Sequence, residues 1–170
     1  MAEERDGSFY LLDGPGHTVG HLCAIARTTA SPQSFILMGA DACHHSAEMR
    51  PSKWLTMPSE INPHPLQPDS LTPCPGSVFE YLLRNGDSSM LLYGQKRPGL
   101  IFSDPDVAEE TIEKLQEFDA SGNIFVVIAH DNHLKDIVDF FPKSANDFLA
   151  KGWDIKTRWK FLSDSKFALL

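Results

Sequence analysis

Three short apolar runs and one strongly periodic stretch dominate the hydrophobic pattern of this chain. Residues 8–12 form an apolar strand that enters Asp13-Gly14-Pro15-Gly16, a turn whose glycines tolerate backbone angles that other residues resist. The apolar stretches 21–27 and 34–40, separated by the polar loop 28–33, predict neighbouring strands of a hairpin. Residues 123–129 (NIFVVIA) are a continuous β-branched run, the pattern of a strand buried on both faces. Between them, residues 104–120 predict a helix. Asp104 or Ser103 can cap it, Pro105 suits its first turn, and Asp106, Glu109 and Glu110 favour its positive end. Val107, Ala108, Thr111, Ile112, Leu115 and Phe118 recur with helical period, and Gly122 follows as terminator.

Weaker periodicity predicts an amphipathic helix over 76–84, stopped at Gly86, and short helices over 134–141 and 145–150, broken by Pro142. The tail 153–162 mixes aromatic and basic residues and is expected to pack back on the domain. Residues 51–75 hold seven of the twelve prolines and no glycine, which predicts an extended surface loop, either bordering a functional cleft or a family-specific decoration. Strands alternating with helices in 170 residues, without an internal repeat, give one α/β domain spanning 1–170.

Charge removes several function classes. A net charge of −8 gives no general attraction for nucleic acid or anionic lipid, the nearest basic cluster being Lys156, Arg158 and Lys160. The start, Met1 to Asp6, is acidic where a signal peptide would be basic and then apolar, and no apolar run approaches the roughly 18 residues of a membrane span. Cys23, Cys43 and Cys74 are odd in number and lack CxxC spacing, as suits free thiols. A cytoplasmic protein acting on a small molecule is the expectation.

Candidate chemistry sits where strands end. His17 follows the first strand and its turn, Asp41 follows the strand over 34–40, and His130 follows the strand over 123–129. Polar residues at rigid strand ends can converge at one sheet edge, and imidazole nitrogen with carboxylate oxygen is the donor set preferred by zinc and similar ions. The alternative is that each residue separately caps a turn or strand end.

Gly16-His17-Thr18-Val19-Gly20-His21, preceded by Asp13-Gly14-Pro15, resembles the GHTxGH motif of the metallo-β-lactamase superfamily. Gly39-Ala40-Asp41 resembles that family's later strand-end aspartate, and Ala129-His130-Asp131 its last histidine motif. The order of the three agrees with the family over nearly the whole chain. This resemblance implies the C-terminal half of an αββα sandwich with two divalent metals, zinc in the intact site. His17 would ligate one, His130 the other, and Asp41 would bridge them. His21 would stand behind the ligands and support the motif turn. His44 occupies the place where lactone-opening relatives carry a carbonyl-polarising tyrosine, and is the candidate catalytic residue. The alternative is that His44 and His45 are solvated loop residues. A nucleophilic Cys43 beside His45 is disfavoured, because adjacent loop residues rarely face each other.

The family's HxHxDH motif has no counterpart here, since no histidine precedes His17. That predicts an N-terminally truncated domain: a gene model lacking its first exons, a degenerate remnant, or a subunit completed by another chain or a second copy. The function implied is metal-dependent ring opening of a lactone or lactam, as in detoxification of xenobiotic or plant-defence compounds, impaired by the missing ligands. A catalytically inactive binding protein or remnant is one alternative, and a thioesterase or glyoxalase-type hydrolase of the same superfamily is another.

Overall fold

The computed structural model describes residues 7–94 and 101–168, so the acidic start over 1–6 lies outside the described residues. Among the described residues six strands are formed: β1 (Phe9–Asp13), β2 (Leu22–Ala30), β3 (Gln33–Met38), β4 (Glu60–Ile61), β5 (Cys74–Pro75) and β6 (Ile124–Val127). Helices α1 (Pro105–Asp119), α2 (Phe148–Lys151) and α3 (Trp153–Arg158) complete the regular elements, together with short 3₁₀ turns. The main sheet has the order β1-β2-β3-β6. Its first two pairings are antiparallel and β3–β6 is parallel, so the fold is mixed α/β.

Helix α1 forms as its periodicity predicts. The Asp104 carboxylate accepts the Val107 N–H at 3.2 Å, which selects Asp104 over Ser103 as the cap. Its apolar stripe, Ile112 and Leu115, packs with Cys23, Leu37, Cys43, Met49, Val126 and Ile128 into one core cluster. The neighbouring β6 residue Phe125 points to the other side, where it meets Phe148 and Trp153. Burial on both faces is why this strand reads as an unbroken apolar run. β1, at the sheet edge, leaves Phe9, Tyr10 and Leu11 each more than half exposed.

Two expectations change. Over 76–84 the chain forms a 3₁₀ turn, Gly76–Leu82, rather than an α-helix. Gly76 donates to the Ser59 carbonyl at 2.7 Å, and a Cβ there would overlap the Pro58 carbonyl, so the segment starts hard against β4. Residues 134–141 do not become a helix. The amides of Ile137 and Val138 both bond the Leu134 carbonyl, and regular structure waits until α2, because Pro142 and the residue before it resist helical angles. The proline-rich 51–75 segment is extended as expected, with β4 and β5 paired within it.

The tail packs back on the domain through Trp159, Phe161 and Leu162, which join Ile61, Cys74 and Phe79 in a second core cluster. Among the described residues no helix is long and apolar enough to cross a membrane.

Candidate metal centre

The loop from β1 to β2 is held against the start of α1. The Gly16 carbonyl accepts the Asp104 N–H at 2.9 Å, the His17 carbonyl accepts the Ser103 N–H at 2.9 Å, and the Thr111 hydroxyl donates to the Pro15 carbonyl at 2.7 Å. Gly16 has φ +118°, and a Cβ there would overlap the Ala108 backbone. Only glycine lets the loop lie this close, and that approach places His17.

Asp41 lies in the tight turn after β3, and His130 follows β6. Since β3 and β6 are parallel neighbours, their carboxyl ends bring both residues to the same sheet edge. Ala40 and His130 adopt left-handed backbone angles, φ 47° and 66°, which side chains other than glycine rarely take. The Ala129 N–H bonds the Ala40 carbonyl at 2.8 Å and ties the two turns together. Such conformations persist where surrounding contacts over-determine them, and they concentrate at functional sites.

The side chains then meet. His130 Nε2 is 3.1 Å from Asp41 Oδ1, and His44 Nε2 is 3.7 Å from the same oxygen. His17, Asp41 and His44 each offer one ligand atom, all within 4.8 Å of one another. The His44 ring lies 5.0 Å from that of His17 and stacks at 5.4 Å on His130. Phe102 closes the floor, edge-on to both His17 and His44.

His21 is adjacent and differently bonded. Its Nδ1 is 2.6 Å from the Gly14 carbonyl, which can only accept, and its Nε2 is 3.1 Å from the Asp41 N–H, which can only donate. Both nitrogens are thereby satisfied in one neutral tautomer, leaving no lone pair for a cation.

The remaining residues fit a divalent ion. The buried Nδ1 atoms of His17 and His44 lack any hydrogen-bond partner among the described residues, and imidazole with carboxylate is a zinc-type donor set. Burial pushes the His44 pKa down from its ordinary value, helped by His17 and His130 and opposed by Glu48 and Asp41. The ring is thus held in the neutral form that ligates or hydrogen-bonds.

The chain is 44% identical over 169 residues to gamma-lactamase FDB1 of Fusarium pseudograminearum, an alignment covering 94% of this chain and 38% of that protein. It is 43% identical over 169 residues to metallo-hydrolase mfmC of Annulohypoxylon moriforme, covering 96% and 42% respectively. A shorter alignment, 54% identical over 74 residues, relates 44% of the chain to 30% of gamma-lactamase MBL2 of Gibberella moniliformis. The chain belongs to the metallo-β-lactamase-like family. No family model matches it, and no solved structure matches it. It spans about two fifths of the length of the first two relatives, 38% and 42%.

This metallo-β-lactamase-like chain also holds a second polar cluster that sequence reasoning missed. Asp164 Oδ2 lies 3.0 Å from His45 Nε2 and 3.0 Å from His133 Nε2. His45 is therefore no free loop residue. His133 follows His130 closely enough to have been a signal; Asp164, in the tail, carried none. Cys43 is fully buried and burial pushes its thiol well above the ordinary range, so it is not poised as a nucleophile.

Proposed function

We propose that this chain carries part of a divalent-metal site of a ring-opening hydrolase, with a cyclic amide or ester as substrate. The observation that carries it is the meeting of three separate loops, with ligand atoms of His17, Asp41 and His44 all within 4.8 Å of one another and His130 Nε2 3.1 Å from Asp41 Oδ1. Two relatives are named gamma-lactamases and a third a metallo-hydrolase, which supports the same class of chemistry.

His17 and His130 would each hold one ion and Asp41 would bridge them. Zinc is favoured by the imidazole-rich donor set. A divalent ion at this point supplies Lewis-acid polarisation of a carbonyl. Asp41 would keep the site acidic-residue anchored while His130, with a side chain 63% exposed, faces the open side where substrate must enter. His44, neutral and beside Asp41, is placed to donate a hydrogen bond to a ring carbonyl or to add a further ligand. Phe102 would keep the inner wall dry, strengthening each electrostatic contact.

Edge strand β1 supports the half-sandwich reading. An edge that exposes Phe9, Tyr10 and Leu11 is one that another sheet, from a longer chain or a second subunit, would cover.

The test is metal content with a substrate panel of lactams, lactones and thioesters. Expected are zinc binding and turnover of a lactam or lactone, both weakened by the missing HxHxDH ligands. Preferred turnover of the thioester would redirect the substrate assignment. Absence of bound metal would sink the hydrolase reading in favour of an inactive or binding protein. Asp41→Ala should abolish whatever hydrolysis occurs, and full activity in that variant would remove Asp41 from the bridge.

A further inference from the structure

The His45, His133 and Asp164 cluster has the composition and spacing of a cation site, each residue offering a ligand atom within 4.8 Å of the others. Hydrogen bonding decides against that role. The Ala47 N–H points at His45 Nδ1 at 3.0 Å, and a backbone N–H can only donate. Nδ1 is therefore the unprotonated nitrogen, so the ring proton sits on Nε2, the atom facing Asp164. A cation there would have to displace that proton to Nδ1, where it would meet the Ala47 N–H donor head-on. Instead the His45 Nε2–H donates to Asp164 Oδ2, and the His133 Nε2 also lies 3.0 Å from that oxygen.

The placement gives this clamp a consequence. His45 directly follows His44, and His133 lies in the loop that begins with His130. Asp164 belongs to the 3₁₀ segment Lys160–Ala168, anchored by the buried Phe161 and Leu162 and far from both loops in sequence. One anchored carboxylate thus holds both site-bearing loops. The Ser46 hydroxyl donates to Asp131 Oδ2 at 3.2 Å, and the other oxygen of Asp131 accepts the His133 N–H at 3.0 Å. These bonds surround His130, whose left-handed backbone angle needs outside contacts to hold it.

We propose that Asp164 is a positioning residue for the metal centre, clamping His45 and His133 so that His44 and His130 are presented to one point. This rests on the metal-site reading above.

The test compares the full chain with Asp164→Ala and Asp164→Asn, using zinc affinity and ¹⁵N-detected histidine tautomers. Loss of an outer partner of this kind lowers metal affinity by about 10- to 100-fold, and that loss is expected in Asp164→Ala while far-ultraviolet dichroism stays native. Asp164→Asn, which keeps an acceptor oxygen, should retain most of the affinity. In the zinc-free wild type, His45 is expected as the Nε2–H tautomer, and Asp164→Ala should shift the ring signals of His45, His133, His44 and His130. Unchanged zinc affinity in a folded Asp164→Ala would overturn the proposal. So would a His45 Nε2 that loses its proton on zinc addition, which would make the cluster a cation site of its own. If the wild type binds no zinc, the hydrolase reading fails and the tautomer spectra decide: shifted His44 and His130 signals support the clamp, unshifted ones refute it.

Discussion

His21 accepts the backbone N–H of Asp41 at 3.1 Å while its other ring nitrogen bonds the Gly14 carbonyl at 2.6 Å. One buried imidazole thereby links the turn that carries His17 to the turn that carries Asp41. His21→Ala leaves a donor and an acceptor without partners, at about 1–3 kcal/mol for each that stays dry. A denaturant titration should show that loss, and zinc affinity should fall by about 10- to 100-fold, since the ligands would no longer share a frame. Native stability and affinity together in this variant would remove His21 from the support of the site.

Two glycines of the same motif separate backbone strain from steric overlap. Gly16 and Gly20 both have positive φ, 118° and 77°, but a Cβ meets the Ala108 backbone at Gly16 and nothing within 4 Å at Gly20. Gly20→Ala should cost only the backbone preference, about 1 kcal/mol. Gly16→Ala should cost clearly more and displace His17. Equal thermal midpoints for the two variants would contradict the packing of this loop on α1.

Arg50 and Asp119 form a buried, two-pronged ion pair, with Nε to Oδ2 at 2.8 Å and an Nη to Oδ1 at 2.6 Å. Asp119→Ala strands a buried guanidinium, which costs about 3–5 kcal/mol. Replacing both partners with apolar residues of similar volume should recover much of that. Chemical denaturation of the three proteins checks the order, and a single variant as stable as the wild type would show that Arg50 reaches solvent.

Burial raises the Asp164 pKa, but hydrogen bonds from His45 and His133 outweigh it and hold the carboxyl below its ordinary 3.8. A lowered carboxylate pKa contributes stability that is complete above the unfolded value and is lost as pH falls through the folded one. The thermal midpoint of the wild type should therefore exceed that of Asp164→Asn at neutral pH, and the gap should close as pH falls below 3.8. A gap that widens in that range would reverse the sign and the assignment.

Much of the sheet and α1 could be read from residue order, because strand runs and helical period are local properties of the chain. The same holds for His17, Asp41 and His130, which mark strand and turn ends in the one-dimensional pattern. Residues 76–84 and 134–141 were misread where tertiary contacts or a following proline outweighed modest helical periodicity. The supporting place of His21 was implied by the motif resemblance, whereas Phe102 under the histidines and the carboxylate of Asp164 could not be read at all. His45 and Asp164 are 119 residues apart, and nothing in either segment encodes that meeting. Chain order determined which segments could be strands and helices; only the packing of the tail onto the second core decided which polar groups share an oxygen, because hydrogen bonds depend on distance in space and not on distance along the chain.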